Sequence, residues 1–202
     1  MTGLDKSIHL RRALTAAALC LPALVFPACS SDHPAAADKT SAPASEGVHA
    51  DFETIPGQFP PQASGIPGAS IAPVGACVSF AGPSTNATLK VVDCGSPDNG
   101  FKVIQRVTTP KECPADVAQK FYMNPDEGQF TACLDFAWSA TDCLSIGKVT
   151  AVRAKCDDTS KPNREKPLKV ILNTTTNTGC GPTGGFPHAV RKFTVCTETQ
   201  RQ

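Results

Sequence analysis

The chain has 202 residues, a formal net charge of +1 and 10 cysteines. A balance so close to neutral offers no electrostatic basis for nucleic-acid binding or for a polybasic hold on a membrane surface. The cysteine count points to an oxidising compartment, where thiols are paired and not held by metal.

The first element is a signal peptide over residues 1–28. Lys6, Arg11 and Arg12 precede an apolar run from Ala13 to Ala28, which is shorter than the roughly 20 apolar residues a membrane span needs. A positive head, an apolar middle and a small residue at the end are the marks of an export signal. Phe26 fits poorly where signal peptidase I prefers a small side chain. Ala28 directly before Cys29 instead resembles a lipobox, the site at which a thiol is lipidated before cleavage. Cleavage at that point removes Cys20 and leaves an odd number of cysteines, and lipidation of Cys29 leaves eight to pair. Two or more acyl chains give the stable hold that one does not. The expectation is a protein anchored through Cys29 to the outer face of the cell membrane.

Residues 29–73 are rich in Ala, Ser, Pro and Gly, a composition with little to offset the entropy of ordering the backbone. They are expected to form a linker, with Phe52, Ile55, Phe59, Ile66 and Ile71 as the residues able to lie along a folded head. From residue 74 onward, short segments such as "ACVSF", "GFKVIQRVT", "QFTACLDF", "PLKVILNTT" and "RKFTVC" alternate with Gly, Pro, Asn and Asp, the grammar of strands and turns. "VAQKFYM", Val117 to Met123, is the one segment with helical spacing, with Asp116 placed to cap it. The expected fold is mostly β, with one short helix.

The head repeats itself. "GACVSF", "VVDC", "GFKVI", "KECP" and "GQFTACLDF" return in order as "TDCLSI", "RAKC", "PLKVI", "TGCGP" and "RKFTVCTE". Two tandem modules follow, residues 74–138 and 139–202. If each copy pairs internally and alike, the first cysteine suits the second on adjacent strands, and the third and fourth flank the remaining segment. The pairs favoured are Cys77–Cys94, Cys113–Cys133, Cys143–Cys156 and Cys180–Cys196. Zinc is the competing use of cysteine, and no close C-x₂-C pair supports it.

From Gly75 to Asp135 the run "GACV…VVDCGSPDNGFKVI…CP…Y…FTACLD" resembles the LppU-type lipoprotein family of mycobacteria and related actinobacteria. Its half-module is similar to actinobacterial septum-formation-related domains. Many of those carry His-Ala-Glu-Val after the second cysteine, where this chain has Asn99-Gly100-Phe101-Lys102-Val103, so no role of that His or Glu carries over. The resemblance implies export, lipidation and a paired-module head, and it supplies no catalytic residue set and no cofactor.

Few residues of the head suggest chemistry. His188 is its one histidine within residues 74–202, and no G-x-S-x-G elbow accompanies it. Asp135 and Asp142 flank Trp138, and paired carboxylates serve glycoside hydrolysis, though Asp is also ordinary in connectors. "GCGPTGG", Gly179 to Gly185, lacks the Lys-Ser/Thr ending of a phosphate loop. "KPNREKPLK" offers Lys161, Arg164 and Lys166 as contacts for an anionic wall polymer or acidic partner, or else as a solvated connector. Trp138 stands where the copies join, either packed between them or presented to a ligand. The leading expectation is a non-enzymatic envelope protein that binds or positions a lipid, a wall polymer or a protein partner. The rival is a small hydrolase with a site near His188.

Overall fold

The computed structural model describes residues 48–49, 51–82, 86–126 and 128–201. The expected signal peptide and Cys29 lie outside the described residues. Eleven strands are present among those described: β1 (Val48–His49), β2 (Cys77–Ala81), β3 (Thr88–Val91), β4 (Phe101–Val107), β5 (Gln119–Met123), β6 (Phe130–Phe136), β7 (Cys143–Ile146), β8 (Ala151–Ala154), β9 (Arg164–Leu172), β10 (Gly185–His188) and β11 (Phe193–Thr199). The helical content among the described residues is two short 3₁₀ segments, Pro110–Glu112 and Thr178–Thr183.

The strands form two antiparallel sheets with the same plan. The first runs β3-β2-β4-β6-β5 and the second β8-β7-β9-β11-β10, with β1 added beside β9. Counted within each copy, both orders are second, first, third, fifth, fourth, so the repeated words of the sequence correspond to a repeated topology. The four disulfides join Cys77–Cys94, Cys113–Cys133, Cys143–Cys156 and Cys180–Cys196, the pairs that the repeated order led us to expect. In each copy the first bridge ties the start of the first strand to the chain just beyond the second. The other ties a 3₁₀ segment or the residue following one to the middle of the last strand.

Alternation explains the strand that the sequence suggested as a helix. Val117–Met123 does not form a helix; Gln119–Met123 is β5, the edge of the first sheet. Phe121 and Met123 turn toward the core while Lys120 and Tyr122 face solvent. That period of two buries both apolar groups beside β6, whereas a helix would spread them around its axis.

The expected linker also ends sooner than residue 73. Residues 51–73 form a strap across both modules. Phe52 and Ile55 are buried in the core of the second, with Leu144, Val170, Phe193 and Val195. Ala72 is buried in the core of the first, with Val78, Phe101, Phe130 and Leu134. A composition poor in core formers does not prevent ordering when three apolar residues are matched to ready-made sites. Burying the larger two contributes on the order of 1.5–3 kcal/mol each. Near the first of these anchors, Gly68 (φ +81°) lies against the Phe130 ring, where an added Cβ would come within 2.3 Å.

The two cores meet at Phe136 and Ile146, which pack against both. Rings run through the contact from Phe80 to Phe101, Phe136 and Trp138, with successive centroids 5.1–5.6 Å apart, and Phe186 closes on the last two. Backbone reinforces it: Arg153 N donates to Pro97 O at 3.1 Å, and Gly100 lies against β8 so closely that a Cβ would stand 1.8 Å from Ala151 O.

Candidate functional site

Two polar assemblies stand where the modules meet. The first centres on Arg191, in the turn between β10 and β11. Its guanidinium spans Asp135 of β6 with two bonds, Nη1 to Oδ2 at 2.7 Å and Nη2 to Oδ1 at 2.9 Å, and its Nε donates to Asp116 Oδ1 at 2.9 Å. The backbone N–H groups of Val190 and Arg191 donate to Asp116 Oδ2. Gln58 of the strap donates to Asp135 and receives Arg191 Nη1 on its carbonyl oxygen. Burial alone would raise the Asp116 carboxyl, but the hydrogen bonds and charge of Arg191 hold it below the ordinary carboxylate range.

His188 belongs to this assembly. Its Nδ1 lies 2.7 Å from Arg191 Nη2 and 2.9 Å from Asp116 O, and its ring stacks on Phe193 at 4.2 Å. Burial pushes its pKa below the usual histidine value, with Asp135 opposing and Arg191 adding to the shift. A neutral ring that accepts from Arg191 at Nδ1 is the form consistent with that neighbourhood. His188 and the two carboxylates are thus brought together, with His188 only 4% exposed and every carboxylate oxygen bonded. This geometry locks one module to the other.

The second assembly is a cavity of about 290 Å³ beside Trp138. Its rim holds Glu53 of the strap, Lys102 of β4, and Thr141 and Asp142 of the connector. Asn99, Trp138 and Arg153 form buried parts of its wall, and the Cys77–Cys94 bridge stiffens one side. Burial is the main influence on Lys102, lowering its pKa, although Glu53 and Asp51 oppose it. Arg153 is held by Ala137 O at 3.0 Å and by Asp142 at 3.5 Å. Three wall atoms have no hydrogen-bond partner: Asn99 Oδ1, Trp138 Nε1 and Arg153 Nε. An unpaired buried donor or acceptor costs roughly 1–3 kcal/mol, so three in one wall mark a place where the fold gives up stability. A larger groove of about 430 Å³ lies between Phe80, Phe121, Tyr122 and Val149, and no unpartnered buried polar atom lines it.

The expected site residues separate. Trp138 is buried at the join, packed on Phe136 and Phe186, and also lines the cavity. Asp142 reaches the cavity, while Asp135 is committed to Arg191. Arg164 is corrected from surface contact to buried clamp. It is 1% exposed, and its guanidinium donates to Cys156 O, Lys161 O and Arg201 O. A long cation with five donors tidies loose carbonyls more effectively than it would serve as one charge of a solvated patch. Lys161 and Lys166 remain exposed. Glu53, Asn99, Lys102 and Arg153 were missed. Asn99 has the sequence signature of a turn residue and Arg153 that of a strand residue, and neither carries a local signal of its unpaired atom. Among the described residues no cluster of three or more His, Cys, Asp or Glu could hold a metal ion.

Comparison with protein-family models, with curated proteins and with solved structures found no match for this chain.

Proposed function

We propose that this is an exported, lipid-anchored protein that binds or positions a component of the cell envelope and does no covalent chemistry. Cys29, after the apolar run and Ala28, attaches the chain to the outer face of the membrane. The resemblance to LppU-type lipoproteins supports that placement. The bound component is a lipid, a wall polymer or a protein partner, and the join of the modules is where it docks. The observation that carries this reading is the cavity beside Trp138, with unpartnered polar atoms in its wall. The hydrolase reading rests on His188, whose bonds to Arg191 and Asp116 leave it inside a lock.

Trp138 is the chain's single tryptophan, so its emission reports the join without labelling. Titration with envelope lipid or wall extract is expected to shift that emission. Trp138→Phe is expected to keep the fold and weaken binding, because it preserves aromatic bulk and removes the indole N–H. Binding that falls steeply with salt and responds to Lys161 or Lys166 substitution, with emission unchanged, would move the site to the basic connector. Intact mass of the processed protein should show an N-terminal Cys29 carrying a diacylglyceryl group, and an unlipidated start elsewhere would remove the anchor.

A further inference from the structure

We propose that the cavity beside Trp138 takes a single neutral, hydroxyl-rich ring, that is, one sugar unit. This rests on reading the join as a binding site and adds the class of ligand. The three unpartnered wall atoms set the chemistry. Trp138 Nε1 and Arg153 Nε carry hydrogens and need an acceptor, while Asn99 Oδ1 needs a donor. A carboxylate or phosphate accepts but does not donate in its ionised form, and an ammonium donates but does not accept. A hydroxyl does both. Asn99, Trp138 and Arg153 are 1%, 4% and 9% exposed, so the ligand must reach a wall that water barely touches.

The rim agrees with a neutral occupant. Glu53 and Asp142 face Lys102 and Arg153 around the opening, and their formal charges cancel. Neither an anion nor a cation is drawn in by the net field, and each would meet a like charge. Two carboxylates to accept and two cationic groups to donate suit the mixed hydroxyls of one ring. At about 290 Å³ the space is at the low end of small-molecule sites, which run from about 300 Å³ upward. It has room for one ring and not for a chain. The Cys77–Cys94 bridge and the Gly100 contact with Ala151 hold opposite parts of the wall, so the site is largely preformed.

The test uses the full chain and a panel of neutral monosaccharides (glucose, galactose, mannose, arabinose and N-acetylglucosamine), with glucuronate and glucosamine as charged counterparts. At least one neutral sugar should shift Trp138 emission, with the charged forms at least tenfold weaker. Asn99→Leu should lose at least tenfold in affinity while its melting temperature stays level or rises, since the substitution removes an unpaired acceptor. Trp138→Phe, followed by calorimetry, should lose a similar factor. Equal affinity for the monosaccharide and for a disaccharide ending in it identifies the end of a longer glycan as the source. Loss on adding the second ring identifies free sugar. Charged sugars binding as well as neutral ones would overturn the proposal, as would variants that bind like the parent. So would a sugar-soaked crystal showing only water on the three wall atoms. If wall extract shifts Trp138 emission and no panel member does, the sugar assignment fails and the binding reading stands; if neither does, both fail.

Discussion

The two modules share one strand order and one placement of disulfides, yet they differ at the positions where they touch. Two residues beyond the last cysteine of each copy stands an acid. In the first module it is Asp135, buried under Arg191; in the second it is Glu198, exposed at the end of β11. The first module supplies the carboxylates of the lock, Asp116 and Asp135, and the second supplies the bases, Arg191 and His188. A duplicated scaffold has thereby become complementary to itself: the shared residues make the fold, and the divergent ones make the contact. The third strands differ in the same manner. Beyond its short pairing with β7, the β9 edge is covered by β1, with Val48 opposite Ile171 and His49 opposite Val170. The corresponding edge of β4 is covered by one side chain, Gln62, which donates to Ile104 O and accepts from Arg106 N. One strap closes two equivalent edges by two different devices.

The largest test of that equivalence is removal of the bridges. They close loops with separations of 17, 20, 13 and 16 residues, each worth about 3 kcal/mol on the loop-entropy account. Full reduction should unfold the chain, since the sum matches the whole stability of a typical domain. Single-bridge variants in urea should lose similar amounts in either module. A loss confined to one module's bridges would show that only that unit depends on its staples.

The lock gives a smaller and asymmetric effect. Arg191→Met leaves Asp116 and Asp135 buried without their cation and should cost about 3–5 kcal/mol, as breaking a buried pair does. Adding Asp135→Asn should recover part of that loss. Glu198→Gln, at the matching place in the second module, should stay within about 0.5 kcal/mol. Equal costs at Asp135 and Glu198 would remove the asymmetry.

The smallest effect is in pH. His188 has a pKa below its ordinary value because burial disfavours the charged ring, so the unfolded chain takes up the proton first. Stability is then full above about 6.5 and declines as pH falls below it, by at most about 1.4 kcal/mol per pH unit for a single group. Asp116 is also lowered, because Arg191 outweighs its burial. Its contribution is present above the ordinary carboxylate value and is lost as pH drops through that lower range. Urea midpoints for His188→Gln should lose the first decline and keep the second. A variant curve parallel to the parent's would place the upper decline elsewhere.

The sheets and bridges were legible in the sequence because their signals are local and repeated. "FTAC" and "FTVC" mark equivalent middles of β6 and β11, and four cysteines recur in one order. The strap was not legible, because Phe52, Ile55 and Ala72 have no common period and take their meaning from pockets in distant strands. At β5 two periods competed. Val117, Lys120 and Phe121 fit a helix, but Phe121 and Met123 decided for a strand once β6 lay beside them. Of the candidate site, Trp138 was visible as a lone aromatic at the join. Asn99 and Arg153 were not, since an unpaired atom exists only after the rest of the fold has been bonded.

The strap also governs how the fold meets mechanical load. A pull on the chain ahead of Val48 reaches the two-residue pairing of β1 with β9 first, then the side-chain anchors Phe52 and Ile55. The strands beyond are closed into short covalent loops, so tension cannot lengthen them far without breaking a bond. The protein would yield in stages, releasing the strap while both sheets hold. In that first stage the β9 edge and then the rim position of Glu53 would be exposed, which couples extension of the N-terminal segment to the state of the cavity beside Trp138.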